Sequence, residues 1–265
     1  MSTNRLPLQL KLIYGLGDHS INVALVALTM ILPFYLTEVV GMRFALAGFV
    51  PLVGRGVDAF TDVWMGRLSD RTAWKAGRRR PFLLIGMLPF VLAFAASWVD
   101  PQIPTPGLEF AYYAGIYALF SISMTVVAIP YQALLPELTE DYQERSSLAT
   151  FRSISSILGT LLTLLCFKPM ADALGGDASA WAISGGVLAA WIFLPWIPIY
   201  WVTYERNQST DAPPLEAREY FRLLFENKSF RSLMGLFALG RIAIDLPMAL
   251  FLHYFTYVIG RPGDF

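Results

Sequence analysis

Seven stretches of this sequence are long and apolar enough to cross a lipid bilayer, and that feature removes most folds from consideration. A membrane helix needs about 20 mostly apolar residues. Such segments run over residues 12–38, 44–68, 81–99, 109–136, 147–171, 179–203 and 232–259. Hydrophobic residues make up 55% of the chain and charged residues 15%, against about 25% charged in soluble domains. The fold class expected is therefore all-α and membrane-embedded. Pro33, Pro51, Pro130, Pro195, Pro198 and Pro247 lie inside these segments. They are compatible with spans, because neighbouring groups satisfy the carbonyls that proline frees. The N-terminal residues show no cleavable signal pattern, since their apolar run continues into the first span.

The same composition excludes several functions. A formal net charge of zero leaves no broad basic face for nucleic acid. One cysteine, Cys166, rules out an internal disulfide framework and a cysteine-rich zinc site. His19 and His253 are too few and too distant in sequence to suggest a metal centre. No nucleophile–base pair or metal motif is evident, so the chain reads as a non-enzyme without a cofactor.

Orientation follows from the basic residues of the short loops. The segment between the second and third spans carries Arg67, Arg71, Lys75, Arg78, Arg79 and Arg80, whereas DPQIPTPG at 100–107 carries none. The alternation places the N-terminus in the cytoplasm. Residues 1–204 then form a six-helix transmembrane bundle, 205–231 a cytoplasmic linker, and 232–265 the first helix of a further bundle. Within the linker, Leu215, Phe221, Leu224 and Phe225 share one face, with Arg218, Glu219, Arg222 and Glu226 largely on the other. That pattern predicts an amphipathic helix on the membrane surface.

Charged side chains inside the spans each need a reason, because insertion at mid-span costs roughly 2.5–3.5 kcal/mol. The second span contains GRGVDAFTD, in which Asp58 and Asp62 share a helix face with Thr61 beside them and Arg55 one turn earlier. Two carboxylates and a hydroxyl supply hard oxygen ligands for a small cation. The same pair raises its own proton affinity, so proton coupling is equally open. A structural ion pair of Arg55 with one aspartate would leave the other unexplained. Further polar faces are Tyr14, Asp18 and Asn22 in the first span, Tyr113, Tyr117, Ser121, Thr125 and then Gln132 in the fourth, and Arg152, Ser156 and Thr160 in the fifth. These either line a cavity or serve helix packing. Arg241 and Asp245 in the seventh span are spaced for an internal ion pair.

YGLGD at 14–18, GRGVDAFTDVWMGRLSDRT at 54–72, GRRRP at 77–81, AIPYQALLPELT at 128–139 and HYFTYVIG at 253–260 together resemble the glycoside–pentoside–hexuronide:cation symporters of the major facilitator superfamily. The resemblance implies twelve helices in two six-helix bundles around a cavity that opens alternately to each side. It implies cation positions at Asp58, Thr61, Asp62 and Thr125, and places Arg152 near that site. Solute positions implied are Asn22, Ala128 and Gln132, with Asp18, Tyr117 and Arg152 beside them. Asn22 and Ala128 stand where the bacterial melibiose permease, a member of that family, has sugar-binding aspartates, which argues against galactosides. The expected function is sodium- or proton-coupled symport of a small solute, a glycoside or related polar compound, in a bacterial inner membrane. A lipid-like solute, or a non-transporting receptor or scaffold on the same fold, is the alternative. Against a twelve-helix pattern the chain stops after its seventh span, so the rest of the second bundle is expected as a partner or as missing sequence. A complete seven-helix retinal protein would need a lysine in the last span, where this chain has Arg241 and none. The six basic residues of the 67–80 segment predict that Ala76→Cys will react with an impermeant maleimide only after permeabilisation; labelling on intact cells would reverse the topology.

Overall fold

A computed structural model describes residues 5–72, 74, 77–205 and 225–254, with backbone only at 245 and 248–253. Among these residues the chain is helical, with one isolated β-bridge between Trp74 and Gly77. The helices are α1 (Leu8–Glu38), α2 (Phe44–Arg71), α3 (Arg80–Ala96), α4 (Pro106–Leu138), α5 (Tyr142–Ala173), α6 (Ala178–Val202) and α7 (Lys228–Tyr254). By length and composition α1, α2, α4, α5 and α6 can cross a membrane, and α3 is a shorter apolar helix. Its 17 residues lie at the lower end of the roughly 17–25 that suffice. The expected amphipathic helix of the linker, and most of HYFTYVIG, lie outside the described residues.

The helix ends depart from the hydropathy boundaries for identifiable reasons. α5 begins at Tyr142, five residues ahead of its apolar stretch, because the Asp141 carboxylate caps it by accepting the Glu144 N–H at 3.0 Å. Asp177 caps α6 in the same way. The Ala180 N–H and the Ser179 hydroxyl that it accepts hold its carboxyl below the usual range. Prolines act locally. α1 passes through a π-helical turn at Ala27–Ile31 just before Pro33, whose missing N–H and ring disturb the preceding turn. α6 is interrupted between Phe193 and Trp196, at Pro195.

The chain divides into two units, 1–206 and 207–265. In the first, α1 packs along α5, while α2 and α3 both pack along α4, and α6 closes against α1 and α3. One end is sealed by aromatic rings: Trp98 stacks on Trp181 with centroids 5.9 Å apart and meets Phe167 edge-on at 4.5 Å. The other end is ionic, and the functional residues lie near or between these layers. In the second unit α7 is capped by Asn227, whose side chain accepts the Phe230 N–H at 3.1 Å.

α1 and α4 are joined by a reciprocal pair. The Tyr14 hydroxyl donates to the Tyr131 carbonyl at 2.7 Å, and the Tyr131 hydroxyl donates to the Tyr14 carbonyl at 2.5 Å. The approach requires Gly17, because a Cβ there would stand 2.5 Å from the Tyr131 ring. That ring cannot swing away without losing its own hydrogen bond. Gly17→Ala is expected to lower the detergent Tm, since overpacking costs about 1–3 kcal/mol. Gly48→Ala, where a Cβ meets nothing within 4 Å, is the control and should leave the melt unchanged.

Candidate functional site

α2 carries the acidic turn. Its most extensive contact in the bundle is with α4, and that contact is close because Gly54 lacks a Cβ, which would otherwise fall 2.2 Å from the Tyr117 ring. The approach brings Thr125 of α4 to α2, where its hydroxyl donates to Asp62 Oδ1 at 2.7 Å. Thr61 Oγ1 donates to the Val57 carbonyl at 3.1 Å and lies 3.4 Å from Thr125 Oγ1. With both hydroxyl protons used, the remaining lone pairs of Thr61 and Thr125 gather beside the Asp62 carboxylate. One turn away, Asp58 Oδ1 is buried without a hydrogen-bond partner, and Ser121 of α4 is within reach of the same carboxylate. The expected cation positions Thr61, Asp62 and Thr125 are therefore adjacent, with Asp58 on the same helix face. Arg55 does not fill the role of ion-pair partner. Among the described residues it forms no salt bridge with Asp58 or Asp62, and its side chain is exposed.

A second polar group lies between α1 and α5. Arg152 Nε donates to Asp18 Oδ2, and its Nη2 donates to Oδ1 at 3.1 Å. The guanidinium carbon sits 5.2 Å from the centre of the Tyr131 ring and 5.8 Å from that of Tyr14. Asn22 donates from Nδ2 to the Asp18 carbonyl at 2.9 Å, and its side-chain oxygen remains an acceptor. Asp18, Asn22 and Arg152 thus form one partly exposed cluster. Tyr117 and Ala128 are buried in helix contacts, and Gln132 is exposed on α4. Arg241 and Asp245 both fall on α7, and the side chain of Asp245 lies outside the described residues.

Several functional-looking residues escaped the sequence reading. The basic run 78–80 forms a neutral hub rather than a bare positive patch. Glu205 accepts the backbone N–H groups of Arg78, Arg79 and Arg80 at 2.7, 2.9 and 2.8 Å. Glu137 takes the guanidiniums of Arg78 and Arg79, and Asp70 takes Arg79 as well. Gly77 has φ +112° and a Cβ there would be 2.6 Å from Glu205, so glycine is needed on both counts. Glu137 could have been flagged as a lone acid at the end of a span; Glu205 carries no local signal. His19 is also tied down. Trp191 Nε1 can only donate, so His19 Nε2 accepts at 2.9 Å, and Nδ1 faces the Ser155 carbonyl at 3.1 Å. That pattern assigns the neutral tautomer protonated on Nδ1.

An all-α bundle with paired acids on one helix and an ion-paired polar cluster on two others fits a polytopic membrane transporter. The chain belongs to the MFS/sugar transport protein family, whose profile matches residues 13–265, and the resemblance drawn from its motifs stands. This is a family of transporters, not enzymes. The chain is 41% identical over 172 residues to an uncharacterized symporter, sll1374, of Synechocystis, covering 63% of this chain and 32% of that protein. It is 30% identical over 270 residues to the inner membrane symporter YicJ of Escherichia coli, covering 100% and 58% respectively. It is 27% identical over 213 residues to the isoprimeverose transporter of Lactiplantibacillus pentosus, covering 79% and 44%. The chain therefore spans between about a third and three fifths of the length of these relatives.

Thr125→Val keeps the shape of the side chain but removes the donor to Asp62. Hydrogen bonds to charged groups contribute about 1.5–3 kcal/mol. Where a cation raises the Tm, the midpoint of that rise is expected to move up about tenfold in concentration. An unchanged midpoint would mean that Thr125 takes no part in holding a cation.

Proposed function

We propose that the protein belongs to a cation-coupled symport system for a small polar solute, a glycoside or related compound, working by alternating access. The observation that carries this reading is the oxygen cluster of Asp58, Thr61, Asp62 and Thr125, with one buried carboxylate oxygen unpartnered. Leaving such an oxygen bare is costly, and a sodium ion or a proton relieves it. The oxygen-only donor set suits sodium as a hard cation. Relatives named as symporters and as a transporter of isoprimeverose support both the coupling and a glycoside-like solute. Asn22 and Arg152 form the solute face, with Asp18 paired to Arg152. Cation binding favours solute binding, and by linkage the solute favours the cation equally.

In this reading residues 1–204 are the N-terminal bundle, 205–231 a cytoplasmic linker and 232–265 the opening helix of a second bundle. The N-terminus lies in the cytoplasm; the ionic hub at the ends of α2, α3, α4 and α6 fits that side. Asp58→Asn and Asp62→Asn test the assignment, because each keeps size and hydrogen bonding but removes the charge. Both are expected to abolish sodium- or proton-dependent solute uptake by the full-length protein in proteoliposomes, while expression and detergent melting stay near wild type. Wild-type ion dependence in both variants would make the pair structural. Failure of both to reach the membrane folded would assign the pair to assembly.

A further inference from the structure

The Asp18–Arg152 pair joins α1 to α5 through only one edge of the guanidinium. Arginine carries five N–H groups in a planar fork. Asp18 takes the Nε proton and one Nη2 proton. The two Nη1 protons and the second Nη2 proton have no hydrogen-bond acceptor among the described residues. The side chains of Arg152 and Asp18 are 18% and 14% exposed, so this second edge is neither sealed in the bundle nor fully in solvent.

The plane of the guanidinium is held as firmly as its edge. Its carbon lies over the Tyr131 and Tyr14 rings, which favours a cation at their faces. Both tyrosine hydroxyls are already committed to each other's backbone carbonyls. The rings therefore offer a fixed floor rather than ligands of their own. No Arg152 nitrogen is among the buried atoms left without a partner, so the free edge is open to water or to a solute. Held open, the Nη1–Nη2 edge presents two parallel N–H vectors. That fork matches two adjacent oxygen acceptors, as on a vicinal diol or a carboxylate.

We infer that Asp18 is a positioning residue: it clamps the Nε–Nη2 edge of Arg152 against the Tyr14–Tyr131 floor, so that the Nη1–Nη2 edge reads a pair of neighbouring oxygen atoms on the solute. Asp18 itself acts through Arg152 rather than by contact. The inference rests on the symport reading for its solute, and the test separates the two. Asp18→Asn, Asp18→Glu and wild type are compared as full chains in two assays. The first follows the rate at which phenylglyoxal modifies Arg152, read by peptide mass spectrometry, with and without methyl β-xyloside (a neutral diol) or glucuronate (a carboxylate). Asp18→Asn should speed the modification several-fold. In wild type one of the two probes should slow it, and which one names the source of the oxygen pair. The second assay measures proteoliposome uptake of the protecting probe. Asp18→Asn should raise KM by about tenfold or more, the scale of one misplaced charge-assisted hydrogen bond, with Vmax little changed, and Asp18→Glu should recover part of the loss.

Unchanged modification rates in Asp18→Asn, or a variant that loses Vmax alone, would overturn the inference and leave the pair as a helix fastener. If Asp18→Asn does not fold, Asp18→Glu and protection of wild-type Arg152 decide it: protection by neither probe overturns it. A protein that takes up no probe, yet shows faster Arg152 modification and its protection, keeps the positioning role and sinks the symport reading alone.

Discussion

Hydrocarbon offers no hydrogen bonds, and this constraint organises everything else in the chain. Each polar group carried into the membrane must find a partner within the bundle or bear a cost of several kcal/mol. Helices meet the requirement for the backbone. Side chains meet it by crossing between helices: Tyr14 with the Tyr131 backbone, Ser20 with Ile192 and Trp196, His19 with Trp191 and Ser155, Asp18 with Arg152. These bonds fasten α1 to α4, α5 and α6 more specifically than apolar packing can, because lipid tails compete with apolar side chains on equal terms. Glycines at the crossing points permit the approach, as Gly17 does beneath Tyr131 and Gly54 beneath Tyr117.

Against that background the acidic turn of α2 is the exception. Asp62 has Thr125 as its donor, but Asp58 keeps a buried oxygen without a partner, and Arg55 on the same helix is exposed and forms no salt bridge with it among the described residues. Asp18 and Glu137 form salt bridges with arginines; Asp58 forms none among the described residues, and an acid left so within a span suits a mobile charge. The hub at the other functional layer works in the opposite sense. Three arginines meet Asp70, Glu137 and Glu205, so charge there is spent on holding helix ends together.

The architecture was legible because span length and apolarity are local properties of the sequence. Helix ends were less so: the polar turn Tyr142–Ser146 continues α5 beyond its apolar stretch, where hydropathy has nothing to register. The α2 acids could be read as a pair, since their four-residue spacing puts them on one face. Thr125 could be placed beside them only through the family resemblance. The Asp18–Arg152 pair could not be read from spacing, because 134 residues separate its members and helix packing alone decides which faces meet. Glu205 was invisible for the same reason. Its partners are backbone N–H groups, which every residue carries. Tyr117, polar by type, packs its ring against Gly54, a contact that spacing within α4 could not show.

The central claim is that the α2 carboxylates hold an exchangeable small cation. Infrared difference spectroscopy of the purified full chain, recorded across pH with and without sodium, tests it most directly. The account predicts a protonated carboxyl band that titrates with pH and that sodium, but not choline, displaces. A carboxyl region that responds to neither pH nor sodium would contradict it.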